Sequence, residues 1–107
     1  MSSSPKVCLK THYTQGKEII AIADRNLLGR EFRDGKIRLR ISEQFYGGEL
    51  ISLEDALGIL RRCPNVNVVG SVAEEAVKSG IIHRDAVLWI KDRESGEKVA
   101  HLILVHV

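Results

Sequence analysis

Two aromatic residues followed by two glycines form the most distinctive short segment of the chain, Phe45-Tyr46-Gly47-Gly48-Glu49. Successive glycines let a backbone adopt positive φ or approach another molecule closely. Rings of this kind stack on nucleobases, and the free amides of Gly47 and Gly48 would suit a phosphate or carboxylate. The segment therefore predicts a binding loop. The alternative is that Phe45 or Tyr46 fills the core, while the glycines turn the chain toward a helix that opens at Ser52.

Five cationic residues are concentrated within eleven positions: Arg30, Arg33, Lys36, Arg38 and Arg40. The last three alternate with apolar residues, so they share one face of a predicted strand. Cations beside aromatic rings on a sheet are typical of surfaces that hold single-stranded RNA. The alternative is a solvated face or an edge protected by charge, with Glu31, Asp34 and Glu43 neutralising part of it.

The basic segment and the aromatic loop together predict a non-catalytic binding module for RNA or for a ribonucleoprotein of the translation apparatus. Two other functions stay open. One is a protein-interaction or self-associating module, a homodimer for example, that uses the doubly apolar C-terminal strand at residues 102–107. The other is a small enzyme in which Tyr46, Glu49, His83 or His101 gather in one pocket.

A weaker candidate for ligand binding is the start of the second predicted helix, at Gly70-Ser71. Exposed amides at a helix N-terminus attract anions. However, Ser71 and Glu74 have the spacing of a capping box, in which Glu74 would compete with an incoming anion. The simpler interpretation of Gly70-Ser71 is an ordinary helix start.

Metal and nucleophile motifs are not recognisable in the sequence. The histidines and cysteines lack the spacing of a zinc or redox site: His12, His83, His101, His106, Cys8 and Cys63. No serine, cysteine or lysine lies in a known nucleophile motif. The sequence therefore predicts no metal, no cofactor and no catalytic residue, leaves enzymatic activity open, and suggests that both cysteines are reduced thiols.

Length and composition indicate one folded domain. The chain has 107 residues, 44% of them apolar and 28% charged, and a net charge of +2, which is ample material for a core and too little net charge to indicate nucleic acid by itself. We expect a flexible tail at residues 1–5 and a single domain at 6–107. No stretch is long and apolar enough to span a bilayer, and no secretory signal is recognisable, so we expect a cytoplasmic protein. The abundance of Glu, Lys and Arg favours a thermophilic source.

Alternating apolar residues predict three β-hairpins. The first joins a strand from Val7 to an apolar strand at residues 19–23, which we expect to be central in its sheet or covered on both sides because both of its faces are apolar. The second turns at Asp34-Gly35, a pair that favours a two-residue turn with positive φ at both positions. The third joins strands at residues 85–90 and 99–107.

Two helices are predicted between the second and third hairpins. The first begins at Ser52 and stops before Pro64. The second begins at Ser71, buries a stripe of small apolar residues and ends at Gly80 in a left-handed cap. With a short strand at residues 66–69 between the helices, the order predicts an α+β fold: a mixed, mainly antiparallel sheet of about five to seven strands with two helices packed on it.

Three segments of the chain are similar to the archaeal family called Domain of Unknown Function 424: residues 26–32, the Phe-Tyr-Gly-Gly-Glu segment and residues 67–70. Their order and spacing fit, and the similarity extends from the first strand to Trp89. The resemblance implies an archaeal source and a small cytoplasmic protein. It brings no assigned activity, cofactor or catalytic residue.

Overall fold

The computed structural model describes residues 6–105. The predicted tail at residues 1–5, the end of the last predicted strand and His106 lie outside this range. The elements are, in chain order, β1 (Lys6–Thr14), β2 (Lys17–Asp24), β3 (Glu31–Asp34), β4 (Ile37–Arg40), α1 (Glu43–Tyr46), β5 (Glu49–Ser52), α2 (Leu53–Arg62), β6 (Val66–Val69), α3 (Ser71–Lys78), β7 (Val87–Lys91) and β8 (Lys98–Leu104).

Six strands form one sheet in the order β5-β1-β2-β6-β8-β7, and β3 and β4 form a separate two-stranded sheet. All neighbouring strands of the larger sheet are antiparallel except β2 and β6, which are parallel. The predicted α+β class, with a mainly antiparallel sheet and packed helices, is confirmed. The doubly apolar strand β2 lies inside the sheet, as the sequence predicts.

The two faces of the large sheet are covered by different elements. On one face, here called the helix face, α2 and α3 pack over buried residues that include Ile22, Val68 and Leu102. On the opposite face, here called the hairpin face, the β3–β4 hairpin packs through Phe32 and Leu39 over other residues of the same strands. Both faces of the central strands are therefore buried, which is why their sequences are continuously apolar.

Both principal helices begin at a hydrogen-bonded cap, but only one cap was predicted correctly. The Ser52 side chain accepts a hydrogen bond of 3.0 Å from the Asp55 amide, as expected for an N-cap. The capping box at Ser71 and Glu74 is wrong, because Gly70 is the N-cap residue of α3 and its φ is 103°. The carboxylate that caps α3 comes instead from Asp24, at the end of β2.

The turn of the second hairpin is shifted by one residue from the prediction. Asp34 pairs with Ile37, so Gly35 and Lys36 form the two-residue loop, and only Gly35 has positive φ, at 61°. The Asp34 carboxylate accepts a hydrogen bond of 3.0 Å from the Lys91 amide. Asp34 therefore anchors the hairpin to β7 and is not a central turn residue.

Two short elements were not predicted from the sequence. Helix α1 is capped by Ser42, whose hydroxyl accepts a hydrogen bond from the Phe45 amide. Strand β5 pairs with β1 and forms one edge of the large sheet. No helix within residues 6–105 has the length and apolarity required to cross a membrane.

Candidate nucleic-acid interface

The predicted cations lie on the β3–β4 hairpin, and three of them share its outer surface. Arg33 lies directly opposite Arg38 across the two strands, and Arg40 lies opposite Glu31. The side chains of Arg33 and Arg38 are 62% and 64% exposed. They alternate with Phe32 and Leu39, which are buried, so the cationic surface points away from the large sheet.

One carboxylate holds the two cross-strand arginines. Glu31 Oε1 accepts a hydrogen bond from Arg33 Nε at 2.6 Å and forms an ion pair with Arg38 Nε at 3.1 Å. Hydrogen bonds from Arg33 and then Arg38 lower the pKa of Glu31, so this carboxylate stays ionised. Glu31 therefore fixes two guanidinium groups next to each other and neutralises half of their charge.

The remaining cations of the hairpin differ in their partners. Arg30 forms an ion pair with Glu97, and its guanidinium carbon lies 4.8 Å from the centre of the Phe32 ring. Within residues 6–105, no ion pair engages Lys36 or Arg40. With five cations and two acids, residues 30–40 carry a net charge of +3, more than that of the whole chain.

The two aromatic rings of the Phe-Tyr-Gly-Gly segment have different environments. Tyr46 is buried on the hairpin face, where its hydroxyl donates a hydrogen bond of 2.7 Å to Asn67 Oδ1. Burial raises the pKa of Tyr46 to about 12. Phe45 is half-buried and stacks on the His12 ring, with the ring centres 4.5 Å apart and the planes 13° apart. Only Phe45 has ring surface near solvent.

The two glycines of this segment are explained by contacts inside the chain. Neither has positive φ. A side chain on Gly48 would overlap the backbone of Leu9 in β1, and one on Gly47 would overlap the carbonyl oxygen of Glu43. The Gly47 amide donates to that same carbonyl at 2.7 Å. This packing accounts for both glycines without a ligand.

An intramolecular anion occupies the predicted anion site at Gly70-Ser71. The Ser71 amide donates a hydrogen bond of 2.9 Å to Asp24 Oδ2, and the Ser71 hydroxyl donates to Asp24 Oδ1. The positive end of the helix attracts the carboxylate, as it would a ligand anion. Any external anion at Gly70-Ser71 would have to displace Asp24.

Asn67 connects residues that are distant in the sequence, and sequence analysis did not identify it. Its Oδ1 accepts a hydrogen bond from Tyr46 and lies 2.9 Å from His101 Nε2. Because Oδ1 has no hydrogen, Nε2 is the donor in the second contact. Burial lowers the pKa of His101. The one available signal is a polar residue between Val66 and Val68 in an apolar strand, which does not reveal its partners.

The four residues proposed for an enzyme do not gather in one pocket. Tyr46 and His101 meet at Asn67, as described above. Glu49 is exposed in the edge strand β5. His83 is exposed and contacts Asp85 before β7. Within residues 6–105, no group of three or more His, Cys, Asp or Glu residues is arranged to hold a metal ion.

A small apolar cavity lies beside Phe45 on the hairpin face. Its volume is about 170 Å³, and it is lined by Lys17, Ile19, Phe45, Asn65, Val66, Asn67, Ile103, Leu104 and Val105. Ile103 and Val105 are 54% and 67% exposed. The cavity therefore opens onto an apolar part of the surface that neither the hairpin nor a helix covers.

The described part of the C-terminal strand is internal to the sheet. β8 is hydrogen-bonded to β6 on one side and to β7 on the other. Along residues 98–104 only His101 and Leu102 are paired with both neighbours, so residues 103–104 keep a free edge on the β7 side, and contact with another protein elsewhere along β8 would use exposed side chains. Cys8 and Cys63, both within the described range, are free thiols.

Comparisons with known proteins place the chain among proteins without an assigned activity. The family described as "Protein of unknown function (DUF424)" matches residues 11–99. A solved structure described as "an uncharacterized conserved protein from Methanopyrus kandleri" is similar over 95% of each chain, with 27% sequence identity and a TM-score of 0.66. No curated protein matches the chain.

Proposed function

The chain belongs to the DUF424 family of proteins of unknown function, and we propose that it is a non-catalytic module that binds single-stranded RNA, free or within a ribonucleoprotein. The observation that carries this proposal is the pair of arginines, Arg33 and Arg38, directly opposite each other on the exposed side of a hairpin. Like charges in that arrangement destabilise a strand pair. Glu31 offsets this repulsion from within the chain, and the exposed ends of both guanidinium groups remain suited to an external anion.

The shared carboxylate gives the pair a geometry suited to phosphate. Glu31 holds both guanidinium groups through their Nε atoms, which leaves the terminal nitrogens of each for other partners. Guanidinium groups bind phosphate oxygens in a bidentate manner, and holding them in place beforehand lowers the entropy lost on binding. Lys36 and Arg40 supply further charge on the same hairpin.

The binding should depend on salt. Each phosphate contact with a single strand releases counterions and contributes a slope of about −0.7 to the dependence of log affinity on log salt concentration.

Phe45, which is separated from Arg40 by four residues in the sequence, is partially exposed, and its ring offers a stacking surface for a base. Within residues 6–105 no hydrogen bond, ion pair or ring contact joins Phe45 to the cations, so the two features act as separate subsites.

Charge reversal on the hairpin tests the proposal. We expect the double variant Arg38→Glu, Arg40→Glu to bind a single-stranded oligoribonucleotide roughly tenfold more weakly or worse at low salt, and its salt slope to fall by about 1.4 as two phosphate contacts are lost. The affinities can be measured by fluorescence anisotropy across a salt series.

The matched control is Arg61→Glu, Arg62→Glu, which changes the net charge equally at the exposed C-terminal end of α2. It should retain most of the affinity of the wild-type chain. Equal losses of affinity in both variants would mean that net charge alone, and not the position of the hairpin cations, explains the binding. Salt-independent or undetectable RNA binding by the wild-type chain would contradict the proposed RNA-binding function.

A protein-interaction module is the second candidate, and the exposed side chains of Ile103 and Val105 favour it. Exposed apolar side chains grouped around a cavity are typical of surfaces that bind a partner. A homodimer through these residues would make the sedimentation coefficient depend on protein concentration, and that dependence should disappear in Ile103→Glu. A wild-type chain that sediments as a monomer at all concentrations would contradict the homodimer.

A further inference from the structure

We propose that the cavity between Phe45 and Ile103 is a nucleobase pocket, with the side-chain amide nitrogen of Asn67 as the hydrogen-bond donor to the base. This inference rests on the proposed function and deepens it, because it names the part of the RNA that this second subsite would take. The same chemistry would also accept the base of a free mononucleotide.

The walls of the cavity are apolar and formed mainly by the sheet. Asn67 lies between Ala21 of β2 and Ile103 of β8 in one row across the hairpin face. Ile19, two residues before Ala21, and Val105, two residues after Ile103, continue the lining. Side chains two residues apart in an extended chain point to the same side, so these groups form a continuous floor.

One wall of the cavity is an aromatic ring held in place. Phe45 stacks face to face on His12, and its carbonyl oxygen lies 2.7 Å from His12 Nε2. Tyr46 packs edge-on against the same ring at 4.9 Å. A ring fixed in this way offers its remaining surface to a planar ligand with little loss of conformational entropy.

The size of the cavity limits what can enter it. Pockets for drug-sized ligands have volumes of about 300–1,000 Å³, whereas this one has about 170 Å³. It therefore suits a single ring system, with the attached sugar and phosphate remaining outside. Lys17 also lines the cavity, and its ammonium group is a suitable partner for that phosphate.

The polar group of the cavity is oriented by its buried partners. Tyr46 and His101 both contact Asn67 Oδ1, so Nδ2 is the end of the amide that these two residues leave free. Asn67 Nδ2 carries two N–H groups, and within residues 6–105 no hydrogen bond engages them. A base presents carbonyl oxygens or ring nitrogens as acceptors. An aliphatic side chain of a peptide would leave both N–H groups without an acceptor.

The test compares strands with and without bases. The probes are single-stranded octamers of uridine and of adenosine, an abasic octamer with the same phosphates, and the mononucleotides UMP and AMP. We expect each base-bearing octamer to bind about fivefold more tightly than the abasic strand or better, because one stacked base contributes on that scale. If the mononucleotides also shift the side-chain amide signal of Asn67, a free nucleotide is a second source of the base.

A matched pair of neutral variants tests whether the tighter binding of base-bearing strands depends on the cavity. Ile103→Gln changes an exposed residue that lines the cavity, and Leu88→Gln changes an exposed residue of the same sheet face that does not. We expect Ile103→Gln to reduce the advantage of the base-bearing strands over the abasic strand, and Leu88→Gln to leave it unchanged. Both variants keep the charges of the hairpin.

The outcomes separate this inference from the proposed function. Salt-dependent binding of all octamers with equal affinity, or an advantage of bases that survives Ile103→Gln, would overturn the pocket and leave the basic hairpin as the interface. Undetectable binding of every octamer and of both mononucleotides would overturn both. Binding of UMP or AMP at the Asn67 amide without binding of octamers would support the pocket and contradict the RNA function.

Discussion

At the scale of the residue, the most informative side chain is Asn67, which joins a tyrosine and a histidine that lie 21 and 34 positions away in the sequence. From the sequence, Tyr46 and His101 were candidates for the same enzyme pocket, and Tyr46 was also assigned to the binding loop. The sequence could not predict that they share an acceptor, because that depends on which strands become neighbours. Asn67 itself stands out as a polar residue in an apolar strand and as the first residue of a segment that resembles the family, and neither feature reveals its partners.

The hydrogen bond from Tyr46 to Asn67 should contribute measurably to stability. We expect Tyr46→Phe to lower the free energy of unfolding by about 1–2 kcal/mol, because it removes the donor and leaves a partly buried acceptor with one partner fewer. Urea denaturation provides the measurement. Tyr13→Phe is the control, since Tyr13 is 75% exposed, and an equal change in both variants would contradict the role of the buried contact.

His101 should make stability depend on pH. Burial lowers the pKa of His101 from its ordinary value of 6.5, so below that pH the unfolded chain takes up a proton more readily than the folded chain. Stability is therefore fully present above the ordinary value and falls as the pH decreases from it toward the lower folded pKa. We expect unfolding free energies at pH 8 and pH 5 to differ less in His101→Gln than in the wild-type chain. An identical difference in both proteins would be inconsistent with a partly buried, neutral His101.

At the scale of the element, alternation and end signals predicted the three hairpins and two principal helices, and the failures have specific physical causes. The α3 cap was assigned to Ser71 and Glu74 because they are close in sequence, whereas Asp24 reaches it from 47 residues away. The Asp34-Gly35 turn moved by one residue because Asp34 binds the backbone of Lys91. In both cases the side chain of an aspartate accepts a hydrogen bond from a backbone amide that is distant in the sequence.

Strand β5 and helix α1 were missed because tertiary contacts stabilise them more than their own sequences do. Helix α1 has four residues, and such a helix is not stable by itself. Its last residue, Tyr46, is buried in the core of the hairpin face. The following glycines let the chain pass close to β1, which brings β5 to the sheet edge.

A pair of Gly→Ala variants tests this account of the connection between α1 and β5. Gly48→Ala should lower the free energy of unfolding by about 2 kcal/mol or more, because the methyl group would overlap the backbone of Leu9. Gly58→Ala, in α2, should raise it by about 0.5–1 kcal/mol, because its nearest neighbour is the flexible end of Arg62 and alanine favours a helix. Chemical denaturation measures both, and a tolerated Gly48→Ala would contradict the proposed close approach.

At the scale of the whole molecule, the hairpin face is divided into a covered and an uncovered part. The β3–β4 hairpin covers the part that includes Ala23 and Val69, and it presents its cations to solvent. The uncovered part contains the cavity beside Phe45 and the exposed Ile103. The sequence predicted the fold class and the central position of β2, but the parallel pairing of β2 with β6 and the packing of the hairpin across the sheet depend on long-range contacts.

The measurement that tests the central claim most directly is a map of amide chemical shifts in the isotope-labelled chain on titration with a single-stranded oligoribonucleotide at low and at high salt. The account predicts that the largest changes fall on residues 30–40, extend to Phe45 and Asn67, and shrink as salt is added. Changes confined to α2 and α3 on the helix face, or no changes at low salt, would contradict it.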